Sequence, residues 1–212
     1  MWAELGTGKA AGSLAERPQQ MWGHDMFKRL APALLMTALA SCGAGNSAAN
    51  QANGGAPVTN ETLTKFTISS DDFQDGHAIP AVHTCDGADQ SPALRWEEPP
   101  VGTKSLALVV DDPDAPNGTF THWGAFDIPP TTRSIARGQS VGRQAINSFG
   151  KSGYGGPCPP KGHGPHRYRF KLYALDIAAL TLPADAKVVQ VEQEAQRHQV
   201  GLAQISGTYE RK

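Results

Sequence analysis

An excess of charge of either sign is missing from this 212-residue sequence: 19 Lys and Arg face 20 Asp and Glu, for a formal net charge of −1. No dense basic stripe breaks that balance, which excludes a nucleic-acid-binding surface. Long apolar runs are missing as well. The stretch Leu30 to Ala40 falls short of the roughly 20 residues a membrane-spanning helix needs. No internal repeat is visible. The glycine cluster Gly153-Tyr154-Gly155-Gly156 lacks the lysine and the following helix of a phosphate loop, so no nucleotide fingerprint is present and no cofactor is expected. Cysteine is scarce, with only Cys42, Cys85 and Cys158.

Turn-forming residues, by contrast, are plentiful. The chain has 23 Gly and 16 Pro, which predicts many short elements joined by turns. Thr64 to Ser69 alternates polar and apolar residues, as a strand with one wet face does. Ser105-Leu-Ala-Leu-Val-Val110 reads as a central strand buried on both faces, running into Asp111-Asp112-Pro113-Asp114. His122 to Ile128 is a third strand, and in His166 to Leu175 the residues Tyr168, Phe170 and Leu172 share one face. From Lys187 to Val200, Val188, Val191, Ala195 and Gln199 recur at helical spacing, and Gly201 is the expected stop. Residues 202–209 read as a last strand. The expected fold is mainly β: an antiparallel β-sandwich with one C-terminal helix packed outside and short peripheral helical turns.

The N-terminal part reads as an address. Residues 1–25 fit no pattern and precede a natural start at Met26, as an over-extended N-terminus does. Residues 26–41 carry a basic start (Lys28, Arg29), the short apolar stretch, and Leu39-Ala40-Ser41 before Cys42, an order that matches a lipoprotein signal peptide. Cys42 is the expected lipidation site, and several acyl chains on one cysteine hold a protein firmly to a membrane. Residues 42–63 combine that cysteine with a Gly, Ala, Asn and Ser tether, and residues 64–212 form the folded domain. The expected location is the bacterial envelope, facing the periplasm or the outside. Gly43 follows the lipidation site, so the best-known inner-membrane retention signal is absent and an outer-membrane placement stays open. Cys85 and Cys158 then remain as an even pair in an exported chain: a disulfide, or two separately buried thiols.

Chemistry concentrates in three segments. Asp112-Pro113-Asp114-Ala115-Pro116 is a stiffened carboxylate loop at a strand end. Thr121-His122-Trp123 opens the next strand. Gly153 to Tyr168 is a Gly/Pro-rich loop carrying His163, His166, Arg167 and Tyr168. Histidines donate to anions, and a carboxylate beside one fixes its tautomer. Asp112, His122 and His166 therefore suggest a pocket for a phosphate monoester or another small oxyanion. Asp111 and Asp114 read as turn-capping residues, Trp123 as core, and His83 and His163 as solvated or rim residues. Arg167 is expected to brace a carboxylate such as Asp114.

DPDAP at 112–116, HW at 122–123 and GPCPPKGHGPHRY at 156–168 resemble the phosphatidylethanolamine-binding protein family, and TCDGADQSPALRW at 84–96 is similar to its bacterial Raf-kinase-inhibitor-like branch. The resemblance covers about residues 65–210. It implies a β-sandwich with a small, largely preformed pocket for phosphate-like or carboxylate anions. By that resemblance Asp112, His122 and His166 belong to the pocket, Pro160 lines its rim, Tyr168 reaches the site and Asp114 braces the loop. It also brings Cys158 near Cys85, in favour of the disulfide.

Three functions compete. The first is a module that binds a small anion or phospholipid headgroup, anchored to the membrane through Cys42. The second is a regulator of an unknown protein partner such as a protease or kinase. The third, ranked last, is an enzyme using the two histidines and a carboxylate for acid–base work or for a metal. No catalytic residue and no resident metal are expected.

Overall fold

A computed structural model describes residues 66–212; the expected extension, signal peptide, Cys42 and tether, with Thr64 and Lys65, lie outside the described residues. Among the described residues, eight strands and one helix follow in chain order: β1 (Ile68–Ser70), β2 (Leu94–Trp96), β3 (Ser105–Asp112), β4 (Phe120–Ile128), β5 (Ser134–Ile135), β6 (Arg143–Gln144), β7 (His166–Leu175), α1 (Val188–Arg197) and β8 (Gln199–Tyr209). A single 3-10 turn, Ala81–His83, lies between β1 and β2. Strands β1-β2-β5 form a small antiparallel sheet and β6-β4-β3-β7-β8 a larger one. No helix among the described residues is long and apolar enough to cross a membrane.

The period-two alternation of β3 builds two cores at once. Leu106, Leu108 and Val110 face the small sheet, where Ile68, Leu94, Trp96 and Ile135 meet Phe170 and Leu172. Ala107 and Val109 face the other way and pack with Phe126 and Tyr173 under Val188, Val191 and Ala195 of α1. All eight residues of β3 are buried, as its nearly continuous apolar run predicts. The helix sits close to the sheet because Gly124 leaves room: a Cβ there would lie 2.8 Å from Val188 Cγ2.

The helix stops earlier than its sequence suggests. It ends at Arg197, where the His198 N–H bonds to the Ala195 carbonyl, and the chain turns directly into β8. Gly201 is therefore not a helix stop; it pairs with Ala174 inside the β7–β8 ladder. Gln199 likewise belongs to β8 and is exposed. The inward row is set by Val188, Val191 and Ala195 alone.

Candidate functional site

Asp112 ends β3 on the same side as Leu108 and Val110, so it emerges at the rim of the sheet–sheet core. Its two oxygens have different tasks. Oδ1 accepts the Asp114 N–H at 2.8 Å, which closes the start of the loop, and Oδ2 lies 2.7 Å from Nδ1 of His166. Asp112 thus closes the loop start and touches His166 at once. Asp114 extends the brace: its carboxylate accepts the Arg167 backbone N–H and both arms of the Arg167 guanidinium, each at 2.9 Å.

His122 reaches the same place through a defect in the ladder. Val110 pairs with Trp123, but Asp111 already pairs with Thr121, so His122 is the extra residue of a β-bulge. Bulges re-aim side chains at the ends of sheets. The bulged residue is then gripped from the facing loop. His122 Nδ1–H donates to the Gly155 carbonyl at 2.8 Å, and the Gly155 N–H returns a bond to the His122 carbonyl at 2.9 Å. Asn147 adds a further bond from Nδ2 to that carbonyl, while its Oδ1 gathers the N–H groups of Phe149 and Lys151.

The loop carrying Gly155 is itself fastened to the 3-10 turn. Cys85 and Cys158 form a disulfide, and the Cys85 N–H bonds to the Pro157 carbonyl. Asp89 Oδ1 accepts the Gly156 N–H at 2.6 Å. Tyr154 donates its hydroxyl to the His83 carbonyl at 2.7 Å. Glycine is required at 156 because a Cβ there would sit 2.3 Å from that same carbonyl. His83 is no rim residue: it is buried, with Nδ1 bonded to the Gln90 carbonyl at 2.7 Å and Nε2 facing Asp72. It packs the turn that anchors the loop.

Between these parts lies a cavity of about 350 Å³ with a predominantly apolar lining. Asp112, His122, His166, Cys158 and Pro160 all line it. Phe120 and Phe149 add an aromatic wall that the sequence reading missed, with ring centroids 5.2 and 5.5 Å from that of His122. The signal was there in Phe149, an aromatic residue inside a Ser/Gly loop. Tyr168 stands beside the site rather than lining it. Its ring meets His122 edge-on at 5.1 Å, and its buried hydroxyl has no hydrogen-bond partner. Two roomier hollows, of about 530 and 710 Å³, contain no histidine.

His163 is exposed, as expected, but its Nδ1 lies 2.7 Å from Nε2 of His166. It therefore joins the site through a contact that sequence spacing does not reveal. Asp111 lies outside the site: it turns to the helix side, where its buried carboxylate holds Arg169 and Lys171 instead of capping a turn.

Burial is the largest influence on the protonation of His122 and Tyr168. Desolvation lowers the His122 pKa from its ordinary value of 6.5, against the Gly155 carbonyl and the Asp112 charge, which raise it. The neutral ring therefore bears its proton on Nδ1 and an acceptor lone pair on Nε2. The Tyr168 phenol is pushed far up, first by burial and then by the Asp112 carboxylate, so it stays a neutral hydroxyl. Hydrogen bonds from Arg167 hold Asp114 down at about 2, so the brace is ionised at any ordinary pH.

Known proteins share this arrangement of chain. A UPF0098 protein of Aquifex aeolicus (strain VF5) is 49% identical over 150 residues, which cover 68% of this chain and 88% of the relative. A Mycobacterium tuberculosis protein named "Putative lipoprotein LppC" is 41% identical over 186 residues, covering 83% of this chain and 92% of the relative. The crystal structure of Escherichia coli YbcL, described as a member of the mammalian PEBP family, superimposes with a TM-score of 0.67 at 32% identity, covering 70% of this chain and 99% of that one. Residues 69–210 match the family defined by phosphatidylethanolamine-binding protein. With the bulged His122, the Asp112–His166 pair and the two-sheet frame all falling inside that match, the chain belongs to the phosphatidylethanolamine-binding protein family.

Proposed function

We propose that this chain is an envelope-anchored binding protein for a small phosphate-like anion, of the size of a phospholipid headgroup. One observation carries the reading: two histidines from different strands line one cavity, and each ring is held by an acceptor on Nδ1. Nε2 is then the nitrogen on the ligand side of each ring, shared with His163 in the case of His166, and a protonated Nε2 donates to an oxyanion. The apolar walls leave few competing polar groups, as ligand pockets do.

Binding is favoured over catalysis by what lines the cavity. Its cysteine is engaged in the disulfide, and Thr119 brings the only hydroxyl. No activated nucleophile stands beside either histidine. Anchoring through Cys42 is supported by the relative named as a lipoprotein, whose match covers 83% of this 212-residue chain and so extends across position 42. The fold faces the periplasm or the outside in this reading, where a disulfide persists.

The test is a titration of the purified full-length chain with phosphoethanolamine and with inorganic phosphate, following the histidine ring signals by NMR. Saturable shifts at His122 and His166, lost in His122→Ala, are the expected result. Unmoved signals at millimolar ligand would overturn the reading.

A further inference from the structure

The nitrogen through which His166 would meet an anion is already taken. Asp112 Oδ2 accepts from Nδ1–H of His166 at 2.7 Å, and Nε2 of the same ring lies 2.7 Å from Nδ1 of His163. Only one proton fits between those two nitrogens. With both rings neutral, His166 Nε2 is the acceptor and His163 Nδ1–H the donor, because the other His166 nitrogen keeps its proton for the carboxylate. His166 is buried, whereas His163 is exposed on the Gly/Pro loop between two glycines at positive φ, Gly162 and Gly164. The outer ring is therefore the one free to move.

The second histidine poses a matching difficulty. His122 Nδ1–H is spent on the Gly155 carbonyl, so its remaining nitrogen is a lone pair unless a proton is added. An oxyanion entering the cavity thus meets one lone pair and one nitrogen bonded to another ring. It gains a donor only when a proton is added and His163 lets go.

We propose that His163 is a displaceable latch on the anion-binding nitrogen of His166, and that its release together with uptake of one proton makes the pocket select phosphate monoesters over phosphodiesters. The inference rests on the anion-binding reading above. A monoester close to pH 6, where its second dissociation lies, keeps an ionisable P–OH on about half of its molecules and can bring the proton with it. That O–H donates to the His122 lone pair, or the proton passes to His166 Nε2, which then donates to the phosphoryl oxygen. A diester has no such proton and must draw one from water.

Lys161 stands on the same loop two residues before His163, and the other charged and titratable groups around the His163–His166 pair come from neighbouring elements. Asp112 comes from β3, His122 from β4, and Tyr168 from β7 itself. Asp114 on the adjoining loop is neutralised by Arg167. Across the ladder, Tyr209 of β8 pairs with His166 and donates to Asp86, which also holds Arg211. Of these carboxylates, Asp114 and Asp86 each have an arginine partner, whereas Asp112 has His166.

The test compares phosphoethanolamine, a monoester, with glycerophosphoethanolamine, a diester, by calorimetric titration of the full-length chain and of His163→Ala. Titration in buffers of different ionisation enthalpy counts protons. At about pH 6 the expected wild-type result is tighter monoester binding, with net uptake of about one proton from the medium for the diester and about half as much for the monoester. The His163→Ala variant should bind both more tightly, by roughly threefold to tenfold, the worth of one neutral hydrogen bond that no longer competes. Unchanged affinities in the variant would sink the latch while leaving the pocket intact. Equal affinity for the two ligands, or identical proton counts, would sink the selectivity. Failure of the wild-type chain to bind either one would instead remove the anion-binding reading beneath it. His163 is exposed, so the variant is expected to fold, and its thermal midpoint checks that.

Discussion

Asp111 and Asp112 are adjacent in sequence and face opposite sides of β3. Asp111 is buried on the helix side, where it bonds Arg169 Nε and Nη2 at 2.8 and 2.6 Å and Lys171 Nζ at 2.8 Å. Lys171 also pairs with Glu192 of α1, which closes the network onto the helix. Asp112 faces the cavity and holds His166. The two carboxylates therefore separate stability from binding.

Asp111→Asn should destabilise the fold by about 3 kcal/mol, because it takes the buried charge out of the network, leaves Lys171 with Glu192 alone and disturbs the arginine beside it. Phosphoethanolamine affinity should be nearly unchanged. Chemical denaturation measures the first and calorimetry the second. A stable variant with a lost binding signal would contradict the division of labour.

Asp112→Asn should do the reverse. The amide oxygen keeps the Asp114 N–H bond, so the loop start survives, but the charged acceptor for His166 Nδ1–H is gone. Charge-assisted hydrogen bonds contribute about 1.5–3 kcal/mol, so anion affinity should fall by about tenfold to a hundredfold. Retained affinity in a folded variant would show that His166 needs no carboxylate to orient it.

How much of this was legible beforehand follows from element length. In β3 the apolar run Leu106 to Val110, and in β7 the alternating Tyr168, Phe170 and Leu172, sit in strands of eight and ten residues, and every one of these side chains is buried. Strands β2, β5 and β6 have three, two and two residues, too few to show any period. The end of α1 was misplaced because Val188, Val191 and Ala195 set the helical face but say nothing about where the chain turns. The role of Asp111 was missed for a related reason: an aspartate beside a proline loop looks like a turn cap until its strand is known to continue through it. His83 and His163 carried no signal, since their partners Gln90 and His166 are chosen by loop folding. The pocket residues were legible through the resemblance of their motifs, whereas the bulge that re-aims His122 leaves no trace in composition.

The disulfide should couple stability to the pocket wall. Cys85 and Cys158 are 73 residues apart, and closing a loop of that length stabilises the folded state by about 4 kcal/mol on chain entropy alone. Cys158 also lines the cavity beside Pro160. Reduction should therefore lower the denaturation midpoint and weaken phosphoethanolamine binding together, and the double Cys85→Ser, Cys158→Ser variant should match the reduced chain. A binding constant indifferent to reductant would show that the Asp89–Gly156 and Tyr154–His83 bonds hold the wall unaided.

The pH dependence of stability should report on His122. Burial lowers its folded pKa below the ordinary 6.5, so between those two values the unfolded chain binds a proton that the folded chain refuses. The stabilisation is complete above about pH 6.5 and is lost as pH falls through that interval, at a slope of up to about 1.4 kcal/mol per pH unit. His122→Asn should remove this component, leaving a flatter thermal-midpoint profile between pH 6.5 and the folded value. Phosphate acts in the opposite sense, because an anion at Nε2 stabilises the protonated ring. Added millimolar phosphate should therefore flatten the wild-type profile and leave the variant unchanged. Equal slopes in wild type and variant would mean that His122 takes up its proton in the folded protein as readily as in water, and that burial in the cavity wall does not govern its charge.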